Sequence, residues 1–396
     1  MATTVENANV FDGVTARSWS SVRFADGIIT GCSDISLARP GDEVVDARGA
    51  TLLPGLIDAH IHLVPGALSQ SLNSGVTTVL DMFSTPDVVA AAKRRAASDS
   101  QVADVFSSSV GATAPGGHPS LIYAPIPTLR AVEEAERFVA DRVEEGSDYL
   151  KIISGVGGRW PALSPDVIAA LVSAAHAQGL ITVAHVSSAS DVALVVAARV
   201  DVVAHVPFDA ELDRALVARI AAGGIAVGPT LATIENTLGS NGQAAAAESP
   251  PFARAVETVR RLAEARVTLL AGTDAPNPGT VFGESLHREL ELLVRSGLTP
   301  ALAIAAATSE PARVFGLADR GRVDAGLRAD LVLVSGDPVS EITATRSIER
   351  IWRGGVECER RPYRANAEEL EQLAAFDARV AGAVAAVRER RRLIAD

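Results

Sequence analysis

The stretch Pro54-Gly55-Leu56-Ile57-Asp58-Ala59-His60-Ile61-His62 decides how this chain is read. Its middle is a short apolar run set off by Pro-Gly, the mark of a buried strand. Alternate side chains of a strand share a face, so Asp58, His60 and His62 point the same way. Upstream, residues 1 to about 50 show short alternating segments broken by turns, at Ser20–Phe24, Gly27–Thr30 and Glu43–Asp46. These predict small antiparallel strands. Downstream, β-branched runs alternate with longer Ala- and Leu-rich stretches. The strands expected are Leu56–His62, Val76–Asp81, Val105–Val110, Tyr149–Ser154, Ile181–His185, Val202–His205, Ile225–Gly228 and Val267–Thr273. Helical stretches between them include Pro86–Ser98, Leu129–Glu145, Pro165–Gln178 and Ala210–Ala222. Eight buried strands with helical crossovers predict an α/β fold, a parallel (β/α)8 TIM barrel. A doubly wound open sheet would carry a Gly-rich phosphate loop after its first strand, and none is there.

Short strands return after Gly321, at Asp330–Ser335, Ile348–Arg353 and Val356–Glu359. They are expected to pair with the N-terminal strands in a small β-sandwich built from both termini. The domains expected are therefore 1–54 with 318–364 as a composite β-sandwich, 55–317 as the barrel, and 365–396 as a C-terminal helical tail. The tail, with its Arg388–Arg392 run, reads as a solvated helix end. Residues 231–250, with Gly239-Ser240-Asn241-Gly242 and an Ala run, read as a loose surface excursion on the active face, with a lid as the alternative.

The chain has 396 residues, 48% of them hydrophobic, which is enough for a large core. Its formal net charge of -12 argues against nucleic acid or an anionic membrane as partner. No signal peptide and no membrane span is read, and Cys32 and Cys358 fit no metal spacing; two free thiols in the cytoplasm are expected.

Seven histidines are present, and four fall at strand ends. His60 and His62 close the first strand, His185 the fifth and His205 the sixth, and Asp274 follows the eighth. The C-terminal ends of barrel strands are where catalytic residues collect. Lys151 sits inside the apolar fourth strand, in a chain whose one other lysine is Lys93. Burial there lowers an amine's pKa and leaves it nucleophilic. Such an amine can add carbon dioxide, becoming a carbamate able to bridge two cations.

Together these marks resemble the amidohydrolase superfamily, in particular its two-metal members with a carboxylated lysine, the peptidase-like and imidazolonepropionase-related branch. The resemblance rests on residues 54–62, on Gly75-Val76-Thr77-Thr78, Lys151, His185, His205 and Gly272-Thr273-Asp274, and on Gly326-Leu327-Arg328-Ala329-Asp330-Leu331-Val332. It spans residues 1 to 360. It implies two divalent metal ions, commonly zinc. His60, His62 and Asp274 would hold the first, and His185 and His205 the second. The Lys151 carbamate and a hydroxide would bridge them, and Asp274 would carry the proton to the leaving nitrogen. The implied enzyme is a metal-dependent hydrolase of an amide or dipeptide-like C–N bond in a small molecule. Members are often dimers or larger, so a homo-oligomer is allowed for.

For substrate contacts the candidates are His118 in Gly116-Gly117-His118-Pro119, nearby Tyr123, Arg159 and Trp160 after the fourth strand, and His287 in Ser285-Leu286-His287-Arg288-Glu289. A structural role for His287 stands slightly ahead. The competing function is a one-metal deaminase or a cyclic-amide (imidazolone or lactam) hydrolase of the same superfamily. Lys151, and the absence of Glu in Ser187-Ser188-Ala189-Ser190, count against the deaminase. An inactive scaffold relative is the third reading, and such relatives usually lose ligands that are all present here.

Overall fold

A computed structural model gives the fold, describing residues 2–155, 160–240 and 249–395. It is a mixed α/β structure. Leu56–Ile61 pairs in parallel with Val76–Asp81, which pairs with Asp104–Ser107. Leu150–Ile153, Thr182–His185, Val202–Ala204 and Ala226–Gly228 form a second parallel ladder in chain order. All residues of Leu56–Ile61 and Val76–Asp81 are buried, as expected where both faces of a parallel sheet are covered. Isolated parallel bridges join Ala112 to Ile152, Val227 to Leu269, and Ile61 to Ala275.

The segment expected as an eighth strand, Val267–Thr273, makes an isolated bridge at Leu269 instead of a ladder. At Gly272 it runs tight against the first strand. A Cβ there would lie 2.8 Å from His60 Cβ, so the two backbones pass closer than a side chain allows. Beyond it the chain turns, with Asp274 at φ 54°. It is still tied to the first strand: Ala59 N–H donates to Ala271 O at 2.9 Å and Asp274 N–H to His60 O at 2.7 Å.

Helices lie between the strands and are capped as their sequences suggest. Pro165–Ala177 and Pro250–Glu264 both open on Pro, and Ser164 and Ser249 accept the N–H three residues on. The expected helix Leu129–Glu145 is shorter, a 3₁₀ turn at Val132–Glu134 running into Ala135–Glu144. Residues 231–250 need correction: Leu231–Ser240 is a helix, with Leu231, Ala232, Ile234 and Leu238 buried. Its first two N–H groups are satisfied from afar, donating to Glu289 Oε1 at 3.0 Å and Oε2 at 2.7 Å. Residues 241–248 of that stretch lie outside the described residues.

The terminal strands do come together. Leu331–Val334 runs antiparallel to Thr51–Pro54, inside a six-stranded sheet that also holds Asn9–Phe11 and Ile348–Arg353. A four-stranded sheet holds Thr3–Glu6, Ser21–Ala25, Ile28–Ser33 and Glu43–Asp46. The two share an apolar core, with Phe24 from one set edge-on against Trp352 from the other at 5.7 Å. Arg320 and Arg328 both grip Asp104 of the parallel strands, at 2.8 and 2.7 Å.

The C-terminal helix Ala367–Ala395 is not simply solvated. Glu369, Leu373, Phe376 and Val380 are half-buried, a 4-3-4 spacing that sets one helix face on the body. That face meets the short helix Ser120–Tyr123. The Arg388–Arg392 side chains lie outside the described residues. Among the described residues, no helix is long and apolar enough to cross a membrane. Cys32 and Cys358 are unpaired.

Candidate active site

His60, His62, Lys151, His185, His205 and Asp274 line one cavity of about 400 Å³. They come from five segments, four strands and the bridged stretch before Asp274, joined by the parallel pairing described above. His60 and His62 reach it together because they share a strand face, their rings 5.6 Å apart. Asp274 Oδ1 lies 3.1 Å from His62 Nε2 and 3.4 Å from His60 Nε2. Donor atoms of these three residues all fall within 4.8 Å of one another, a spacing that one cation can fill. The His205 ring sits 4.8 Å from that of His60 and 4.6 Å from that of His185.

The surroundings hold these groups in place. Asp58, below the pair, accepts from Thr273 Oγ1 at 2.7 Å and from the N–H groups of Thr273 and His60. It fixes the turn that presents Asp274. His205 Nδ1 is 2.8 Å from Thr230 Oγ1, and His185 Nε2 is 3.1 Å from Ser187 Oγ. Such partners select an imidazole's tautomer and ring angle. His205, Thr230 and Asp274 all have positive φ, at 75°, 52° and 54°. Non-glycine residues largely avoid this region, so the backbone at these three positions is held by the packing around it.

Burial dominates the electrostatics. It drives His60 and His185 well below the usual histidine range and His205 down to about 4, so all three are neutral with lone pairs free. Asp274 is also buried, which raises its pKa, but the His62 hydrogen bond and the electrostatic pull of the neighbouring basic side chains outweigh this and leave it lowered. It is a carboxylate at neutral pH.

Lys151 is the anomaly. It is 1% exposed, and its Nζ has no hydrogen-bond partner among the described residues. Its stem packs close to Gly111, where a Cβ would lie 3.2 Å from Lys151 Cγ. Burial brings the amine down to about 7, against the pull of Asp274 and Asp81. A buried amine with no partner is costly unless something else completes it. The residues present fit a cation cluster: neutral imidazoles, one carboxylate, and an orphaned nucleophilic amine on the same cavity.

The substrate candidates divide. His118 and Tyr123 line the cavity. The His118 ring lies parallel to that of His185 at 6.3 Å, and Tyr123 packs on Phe83 at 4.5 Å. His287 does not line it. Its Nε2 meets Ser74 O and its Nδ1 meets Thr345 Oγ1, both at 3.0 Å, so its two nitrogens are spent on holding chain segments together. Trp160 is absent from the lining as well, and Arg159 lies outside the described residues. The sequence reading missed Met82, Ile122, Pro276 and Pro278, and also Phe376, Asp377 and Val380 of the C-terminal helix. Nothing in their spelling marks them, since each enters through a loop or helix remote from the histidine motif.

The family model described as the amidohydrolase family matches residues 51–358. The chain belongs to the amidohydrolase family. It is a hydrolase acting on carbon–nitrogen bonds, in a family that generally binds divalent metal. This amidohydrolase is 28% identical to the imidazolonepropionase of Salinispora arenicola, over 83% of this chain and 89% of the relative. It is 31% identical to adenine deaminase 2 of Rhizobium meliloti, over 83% of this chain but 53% of that protein. Among solved structures it superposes on a Xaa-Pro dipeptidase with bound methionine in its active site, with TM-score 0.80, 22% identity, and coverage of 91% of this chain and 100% of that one. That last likeness is one of fold.

Proposed function

We propose that this amidohydrolase cleaves an amide or dipeptide-like C–N bond of a small molecule at a two-metal centre. The observation that carries the reading is the convergence of six ligand-type residues on one cavity, with the unpartnered Lys151 Nζ among them. His60, His62 and Asp274 would hold one divalent cation, zinc in the common case, and His185 and His205 a second. The Lys151 amine, adding carbon dioxide and releasing a proton, would become a carbamate with an oxygen for each. Bound there, the cations would supply Lewis acidity and a water ionised at neutral pH. Asp274, already ionised, is suited to accept a proton at its carboxylate and deliver it to the leaving nitrogen. His118, kept neutral by burial, would donate an N–H to the substrate carbonyl or carboxylate.

The fold reading that goes with this is a (β/α)8 barrel over residues 55–317 and a composite β-sandwich of 1–54 with 318–364. The parallel ladders, the three isolated bridges between them and the mixing of both termini in one sheet support it.

A cyclic amide is the second reading, favoured by the imidazolonepropionase relative's coverage along both chains. It would use the same cluster. The deciding experiment is metal analysis of protein purified with zinc, followed by a screen of dipeptides, N-acyl amino acids, aryl amides and lactams. Close to two ions per chain is expected; a reproducible single ion would sink the two-metal reading.

A further inference from the structure

The roof of the cavity comes from an element outside the region matched to the family, which ends at residue 358. Phe376, Asp377 and Val380 of the C-terminal helix line the same space as the histidine cluster. The helix is held there by its half-buried face against Ser120–Tyr123, the turn that also supplies Ile122 and Tyr123. What surrounds the cluster is largely apolar. Met82 and the Phe83–Tyr123 ring pair face a space that Ile153, Pro276 and Phe376 also bound. Outside the cluster itself, the one charged group among the described lining residues is Asp377. Arg379, on the same helix, is exposed and does not line the cavity.

These features fit a flat, uncharged group better than a carboxylate. A cavity of about 400 Å³ is toward the small end of ligand-site volumes, and aromatic walls favour a planar ring. An anionic end would meet Asp377 at the rim, with no described cation on the lining besides Lys151 to offset it.

We propose that the C-terminal helix is the specificity wall of this site: Phe376 and Val380 pack on the non-reacting part of an aryl amide substrate, and Asp377 favours a cationic over an anionic substituent there. This rests on the amide-hydrolase reading above for the bond that is broken, but not for the binding preference.

The test uses the zinc-loaded full chain and three acetanilides differing only in the para group: nitro, carboxylate and aminomethyl. Wild type is expected to prefer the cationic over the anionic compound in kcat/KM by roughly three- to fivefold, the scale of an exposed ion pair. Asp377→Lys, at an exposed position that does not disturb packing, is expected to reverse that order. Phe376→Ala should raise KM about tenfold for all three with a smaller change in kcat, and Phe376→Leu should recover most of it. Zinc content should stay constant throughout. The same comparison is made at equilibrium by calorimetry on metal-free protein. The probes are phenylacetone and its para-carboxylate and para-aminomethyl derivatives, in which CH₂ replaces the scissile nitrogen. Helix-dependent binding of the ketones without turnover of any anilide would support the wall and overturn the reaction. Turnover indifferent to both substitutions would overturn the wall alone. No binding of the ketones, or binding that neither variant alters, would also overturn it.

Discussion

His60, His62 and Asp274 bring their donor atoms within 4.8 Å of one another, a carboxylate included. His185 and His205 stand beside them, with His205 Nδ1 4.0 Å from Asp274 Oδ2 and Lys151 on the same cavity, two neutral imidazoles and an amine with no partner among the described residues. The first half carries its own negative charge. The second has none unless the amine is converted to an anion. A divalent cation in a buried site needs charge compensation as well as lone pairs. On the two-metal reading proposed above, the first half would take a cation as folded, and the second would depend on the chemistry of one lysine.

The largest effect should come from removing that lysine. Lys151→Ala is expected to lower turnover by about 10³-fold or more, the range for loss of a central catalytic group. It should cut metal content toward one ion per chain, read by elemental analysis. Short carboxylic acids should restore part of both by lending the missing anion. Full activity in the variant would erase the difference between the halves. A smaller effect is expected from Thr230→Val, which keeps the shape but removes the hydroxyl 2.8 Å from His205 Nδ1. Chelator competition should show the weaker-binding ion loosened by about 10- to 100-fold and the other unmoved. Equal loss of both ions would mean that the halves are not independent.

The smallest effect concerns Glu289, which anchors the helix following Thr230. Burial raises its carboxyl to about 8, opposed by the N–H groups of Ala232 and Leu231 and reinforced by Asp58 and Glu235. Its folded pKa therefore lies above the ordinary value of 4.5. The folded state holds a proton that the unfolded state has lost, so stability declines as pH rises between those two values. Glu289→Gln removes this titration. Although it forfeits one acceptor, its melting temperature should gain on wild type as pH rises from about 5 to about 8. A constant gap across that window would show that Glu289 does not titrate there.

Much of this was legible in the chain. The period-two placement of His60 and His62 needs no tertiary information, because a strand puts them on one face by geometry alone. Pro86–Ser98 and Ile348–Arg353 are found where their local patterns end. Leu231–Ser240 was not legible: its glycine and polar residues spell a loop, and its N-terminus is satisfied by Glu289, some 58 positions away. For His287 the structural role read slightly ahead, but sequence shows a donor and not its partners, which are Ser74 and Thr345. What the C-terminal helix covers was not legible either, since a stripe of Leu373, Phe376 and Val380 is too sparse to name it.

Which donors exist, and that His60, His62, His185, His205 and Asp274 fall at or just past strand ends while Lys151 lies inside a strand, could be read from the sequence alone, since side-chain alternation and apolar runs are local properties. It took the folded chain to turn six of them toward one cavity, to leave Lys151 without a partner among the described residues inside it, and to bring a helix from the far end of the chain over the top. Those facts depend on bringing together residues as far apart as His60 and Val380, which happens when distant segments are packed together and water is excluded between them.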